Sequence, residues 1–173
     1  MSDSRNKSKR SSKGADLQND GFQHQARKRF GQNFLHDQNI IQKILQSIRP
    51  QDSDHIVEIG PGQGALTRHL LQTCAKLDAV ELDRDLAAYL VQTLGDDSRF
   101  ALQQGDVLKF DFSTLTDKPH SLRIVGNLPY NISTPCMFHL LNYQSLISDL
   151  SICSMFPLLL LHHSPRSALP SSG

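Results

Sequence analysis

Apolar residues recur at helical spacing through Ile40, Ile41, Ile44, Leu45 and Ile48, with Asp37 placed to cap the start and Pro50 just beyond the end. The pattern predicts one amphipathic helix. A short apolar run from His55 to Ile59 breaks at glycines and gives way to a helical pattern through Leu66, Leu70 and Leu71. The unit then repeats, with Leu77 to Leu82 as strand, Leu86, Leu90 and Leu94 as helix, and Phe100 to Gln103 as a third strand. Leu122 to Val125 reads as a fourth strand, followed by a helix that Thr134 caps with Pro135 at its first position. Strands that alternate with helices imply an α/β chain with a parallel, doubly wound sheet.

Ligands of such sheets sit beyond the carboxyl ends of the strands, near the point where strand order reverses. The polar and glycine residues of this chain collect there. Strand one runs into Glu58-Ile59-Gly60-Pro61-Gly62-Gln63-Gly64, strand two into Glu81-Leu82-Asp83, strand three into Gly105-Asp106, and strand four into Asn127-Leu128-Pro129-Tyr130. The glycines follow GxGxG, whereas the dinucleotide fingerprint places its third glycine one position later, so the loop alone is weak. Glu81, about 20 residues downstream, is placed to accept both hydroxyls of a ribose, an arrangement that NAD and S-adenosyl-L-methionine sites share. Asp106 is placed to accept from an adenine amine. An isolated acid at a strand end is usually a solvated or capping group, and Asp83 and Asp85 are read as caps of the following helix.

The tetrapeptide at the fourth strand end tips the balance toward the methyl donor. An exocyclic adenine amine is a poor nucleophile until its hydrogens are held and its nitrogen can pyramidalise. The Asn127 side-chain carbonyl and the Leu128 backbone carbonyl offer two acceptors for those hydrogens, Pro129 stiffens the turn, and Tyr130 offers a stacking face for a flipped base. The plainer alternative is an ordinary turn, since Asn, Pro and Tyr are common in turns.

Composition changes this picture little. The 173 residues carry a net charge of +1 and suit one soluble domain. Basic residues cluster at Arg5, Lys7, Lys9, Arg10 and Lys13 and again at Arg27, Lys28 and Arg29, and the second group is assigned to polyanion binding. Cys74, Cys136 and Cys153 are odd in number and widely spaced, which points to neither a disulfide framework nor a zinc site. No metal ligand set is expected. His36, His55, His69 and His139 read as surface or packed structural residues. With no apolar run long enough to span a membrane and no signal-peptide pattern, the expected compartment is the cytoplasm.

Taken together, the motifs resemble those of the small-subunit ribosomal RNA adenine dimethyltransferases, the bacterial kasugamycin-sensitivity enzymes and the dimethyladenosine transferases. The likeness runs from Ala26-Arg27-Lys28-Arg29-Phe30-Gly31-Gln32-Asn33-Phe34-Leu35 through Glu58 to Gly62, Glu81 to Asp85, and Gly126 to Pro135. It implies a Rossmann-like S-adenosyl-L-methionine-dependent methyltransferase fold. By the same likeness Asn33 and Leu35 contact the methionine end of the cofactor, Gly60 lies beneath it, Glu81 binds ribose, Asp106 binds adenine, and Asn127 meets the reacting centre. The implied reaction is dimethylation of N6 on two adjacent adenosines in a hairpin near the 3′ end of small-subunit rRNA. The implied partner is that rRNA or the pre-assembled small subunit.

Past Leu150 the likeness stops. The resulting division is a basic, polar, disordered tail over residues 1–23, a partial catalytic domain over 24–150, and an atypical tail over 151–173 that a shifted reading frame would explain. Further strands, a second target-base loop and a small C-terminal helical domain belong to the family and are not recognisable here. A sheet stopped at its fourth strand exposes an apolar edge, so poor stability and compromised activity are expected. Competing functions are a non-catalytic ribosome-assembly or RNA-binding factor, an N-methyltransferase acting on DNA adenine or protein glutamine, and, last, a nicotinamide oxidoreductase.

Overall fold

A computed structural model describes Leu35 and residues 37–154. The basic segment Arg27 to Arg29, Asn33, and the tail beyond residue 154 lie outside the described residues. Within them the chain runs α1 (Gln38–Ile48), β1 (His55–Ile59), α2 (Thr67–Leu70), β2 (Lys76–Glu81), α3 (Arg84–Leu94), β3 (Phe100–Gln104), two short 3-10 turns, β4 (Leu122–Leu128), α4 (Tyr130–Leu141) and β5 (Ile147–Ser154). All five strands pair in parallel in the order β3-β2-β1-β4-β5. Strand order therefore reverses between β1 and β4.

Local sequence accounts for the helix ends. Asp37 caps α1 by accepting the Asn39 N–H at 2.8 Å, and Asp83 caps α3 by accepting from Asp85 and Leu86. On one face of the sheet Ile41, Ile44 and Ile48 of α1, Leu66, Leu70 and Leu71 around α2, and Leu90 of α3 pack on Ile56, Leu77, Ala79 and Val125. On the other, Cys136 and Leu140 of α4 pack with Phe112 and Val107 on Val57, Ile59, Val80, Ile124 and Ile152. Phe112 is fully buried and meets Phe110 and Tyr143 edge to face at 5.0 and 5.3 Å. The three cysteines are free and buried.

Charges at the amino-terminal ends of the strands are paired. His55 Nε2 lies 2.6 Å from Asp78 Oδ2, with Lys76 Nζ at 3.0 Å from the same oxygen, and His139 Nε2 lies 2.8 Å from the Phe110 carbonyl. Both histidines are thus structural, as expected. Arg123 bridges Asp54 and Asp149 and also donates to the Ile48 and Arg49 carbonyls. This guanidinium ties the end of α1, the start of β1 and β5 to β4.

Three expectations need correction. A fifth strand exists: Ile147–Ser154 pairs with β4 from Leu122↔Ile147 to Leu128↔Ser154, so the sheet does not stop at its fourth strand and β4 is not an edge. The segment hid because Ser148, Asp149 and Ser151 interrupt its apolar run, and Asp149 pairs with Arg123. Strand β4 also runs three residues further than expected, to Leu128. Finally, α4 begins at Tyr130 and not at Pro135, which lies inside the helix. Proline is most at home in a first turn, and that preference misplaced the start.

Removal of the Arg123 side chain leaves Asp54 and Asp149 largely buried without their shared partner. Arg123→Ala is expected to lower the unfolding free energy by about 3 kcal/mol, measured by urea denaturation.

Candidate active site

The register of β1 with its two neighbours arranges the carboxyl ends of the strands. Ile59 is level with Val80 on one side and Gly126 on the other, so the next residue of each strand brings Gly60 level with Glu81 and Asn127. Glu81 is in turn level with Gln104, two residues before Asp106. Across the sheet the order is Asp106, Glu81, Gly60, Asn127, on four neighbouring strands about 4.8 Å apart.

Gly60 has φ +67°, and Gly62 and Gly64 are also left-handed at +59° and +78°. Turning the chain over the end of β1 in this way requires glycine. A side chain at Gly60 would meet Leu128 Cδ2 at 3.2 Å, and one at Gly64 would meet Leu90 Cδ2 at 2.8 Å. The Gly60 backbone lies between Glu81 and Asn127 at the carboxyl edge of the sheet. Arg68, which sequence reading passed over, braces the loop by donating to the Gln63 and Gly64 carbonyls at 2.7 and 2.9 Å.

Glu81 is buried, and each carboxylate oxygen accepts one backbone N–H, from Gly62 at 3.1 Å and from Asp83 at 2.9 Å. These bonds fix the carboxylate in place. Burial raises its pKa, the backbone N–H groups of Asp83, Gly62 and Leu82 offset part of the rise, and the Asp83 charge adds to it. Asp106 is half-buried and uses one oxygen to cap the first 3-10 turn at Leu108 N–H, 3.0 Å away. Asn127 is half-buried at the end of β4, and Pro129 alone links that strand to α4. Tyr130, at the first position of α4, is 76% exposed. The Leu128 side chain is buried against the core, so only its backbone can serve a ligand.

Two buried polar groups add to this set. Ser133 donates to the Leu128 and Pro129 carbonyls at 3.2 and 3.1 Å and pins the link between strand and helix. Its spacing from Leu128 was the available signal, but a helix start at Pro135 obscured it. Glu58, one residue before Ile59, is 3% exposed and its Oε2 has no hydrogen-bond partner. Burial pushes its carboxyl up to about 7 from an ordinary value of 4.5, the nearby Thr67 hydroxyl lowers it somewhat, and the negative charge of Glu81 adds to the rise. Thr67 Oγ1 approaches without a well-formed hydrogen bond of its own. Of the remaining residues expected at a site, Leu35 is half-buried and packs against the core cluster to which α1 and α2 contribute.

A family model for ribosomal RNA adenine dimethylases matches residues 23–159. The chain belongs to this family. Among curated members, it is 60% identical over 129 residues to the ribosomal RNA small subunit methyltransferase A of Pseudomonas savastanoi pv. phaseolicola, covering 75% of this chain and 48% of that protein. The Pseudomonas putida protein of the same name is 58% identical over 132 residues, covering 76% and 49%. The chain thus spans about half the length of the curated relatives it matches. Among solved structures, a dimethyladenosine transferase from Plasmodium falciparum superposes with TM-score 0.59 at 26% identity, covering 70% of this chain and 42% of the other. The 23S rRNA methyltransferase ErmE superposes with TM-score 0.63 at 25% identity, covering 72% and 48%. The fold is the Rossmann-like methyltransferase fold, with a sheet of five parallel strands.

Because the folded pKa of Glu58 lies above its unfolded value, the native state holds the extra proton between about pH 4.5 and 7. Stability from this group is present at low pH and is lost as pH rises through 7, by about 3 kcal/mol in all. Unfolding free energy is expected to fall between pH 5 and 8, and Glu58→Gln to remove most of that fall, as followed by denaturant titration.

Proposed function

We propose that this chain carries the cofactor-binding half and the amine-positioning loop of an S-adenosyl-L-methionine-dependent rRNA adenine N6,N6-dimethyltransferase. The observation that carries the reading is the order Asp106, Glu81, Gly60, Asn127 on four adjacent strand ends. Adenine, ribose and sulfonium methyl follow one another in that order along the cofactor. Fit is supported by the left-handed glycine turn at Gly60, by the fixed carboxylate of Glu81, and by an acceptor on either side of that turn. In this reading Asp106 accepts the adenine amine and Glu81 the ribose hydroxyls, while Asn33 and Leu35 approach the methionine end. Bound there, the cofactor supplies an already activated methyl electrophile.

The residues at the end of β4 then handle the nucleophile. Asn127 Oδ1 accepts one N6–H and the Leu128 carbonyl accepts the other, which localises the nitrogen lone pair toward the methyl group. Ser133 already donates to the Leu128 carbonyl, yet an sp² oxygen retains a second lone pair for the base. Its single proton also keeps that carbonyl oriented. Tyr130, exposed and next to Asn127 across the Pro129 link, stacks on the flipped adenine and contributes about 1–3 kcal/mol to base binding. Alignment of two bound reactants removes on the order of 7–11 kcal/mol of a bimolecular barrier, which is the larger effect. Arg27, Lys28 and Arg29 supply phosphate contacts, and the substrate is small-subunit rRNA or the pre-assembled particle in the cytoplasm.

Transfer of radiolabelled methyl groups to unmodified small-subunit particles, naked rRNA, DNA and protein in parallel tests the reading. Methylated N6-adenosine in the particle or rRNA arm is the expected result, and particle binding without transfer would favour a non-catalytic assembly factor. Asn127→Ala is expected to abolish transfer while cofactor affinity stays within a few-fold. Glu81→Ala should weaken cofactor binding first, by about tenfold or more in calorimetry, since charge-assisted hydrogen bonds are worth about 1.5–3 kcal/mol.

A further inference from the structure

Glu58 has no role in the chemistry above, yet it sits where the cofactor reading puts a positive charge. Residues two apart on a strand share a face, and Glu58 is level with Ala79 and Val125. Glu81 and Asn127 each lie two residues beyond those partners. All three polar side chains therefore belong to the same face of the sheet, at its carboxyl edge, with Glu58 on the central strand between the other two. Glu58 Oε2 is buried without a well-formed hydrogen bond, and among the described residues the charged group that influences the carboxyl is a second carboxylate, Glu81.

Keeping two buried carboxylates ionised close together is costly unless a proton or a cation completes them. We propose that Glu58, buried on the same face as Glu81, holds a proton when no ligand is bound, which the sulfonium form of the cofactor displaces and the neutral thioether product does not. This rests on the cofactor reading given above. The balance is simple, because a +1 ligand enters and one H⁺ leaves to solvent from the Glu58 carboxyl, with no bond to the ligand formed. After methyl transfer the sulfur is neutral, the carboxylate loses its counter-charge, and reprotonation favours product release. Glu58 is thereby a positioning and discriminating residue and not a catalytic one.

The groups that face Glu58 are Glu81 from β2, which resists its ionisation, and the Thr67 hydroxyl at the start of α2, which assists it. With the empty-site carboxyl near 7, binding of the donor at pH 7 should release about half a proton per site. Donor affinity should rise about tenfold from pH 6 to pH 8, and product affinity should not.

The test is isothermal calorimetry of the full 173-residue chain with S-adenosylmethionine and, separately, S-adenosylhomocysteine, in two buffers of different ionisation enthalpy. Proton release with the donor alone is expected, and Glu58→Gln should abolish it while the donor still binds. Because that variant can alter folding, Thr67→Val supplies a second arm, in which the pH midpoint of donor affinity moves upward. Donor binding with no proton release, or equal release with donor and product, overturns the inference and leaves the cofactor reading intact. Binding of neither ligand overturns the cofactor reading and the inference with it.

Discussion

Every feature of the site depends on the parallel pairing of β1 with β2 on one side and β4 on the other. That pairing levels Gly60 with Glu81 and Asn127, and because side chains alternate, a slip of one residue in either ladder would send one member of the set to the opposite face. The ladders are held by burial on both faces. Ile56 and Val125 lie in one core and Val57, Ile59 and Ile124 in the other, so a shifted register would move apolar groups out of both cores at once. Arg123 adds a second lock from below, since its partners come from three different segments and tolerate only one alignment of β1, β4 and β5.

The two ends of this sheet treat charge in opposite ways. At the amino-terminal end each buried carboxylate is matched: Asp78 with His55 and Lys76, Asp54 and Asp149 with Arg123. Their pairings hold Asp78 below the usual carboxylate range despite burial. At the carboxyl-terminal end Glu58 and Glu81 are buried with no cation among the described residues, and both are raised. A chain that neutralises buried acids so completely with cations at one end leaves the two acids at the other without a cationic partner among the described residues. That asymmetry marks the edge as built for a ligand more firmly than any single residue does.

How much of this could be read from sequence depended on how local the signal was. The cap of α1 by Asp37, the strand from His55 to Ile59 and the glycine turn after it are set by nearby residues and stand in the structure as expected. Glu81 and Asp106 fall at strand ends because a parallel sheet puts every βα turn at one edge, a consequence of topology that alternation alone foretells. What escaped was decided at a distance. Asp149 in the middle of the fifth strand pairs with Arg123, 26 residues earlier, and no window along the chain reveals that pairing. The orphaned oxygen of Glu58 is likewise a product of packing from α2 and β2, invisible until the strands are laid side by side.

Pro135 within α4 has a mechanical consequence. A proline there cannot donate to the Asn131 carbonyl, so the helix lacks one rung between its first turn and its body. The first turn, with Tyr130, is instead stapled to the end of β4 through Ser133 and the Leu128 and Pro129 carbonyls. Tyr130 therefore travels with the sheet and not with the helix to which it formally belongs. The remainder of α4 is held separately, by Cys136 and Leu140 in the core, so the ring and the helix body are anchored through different contacts.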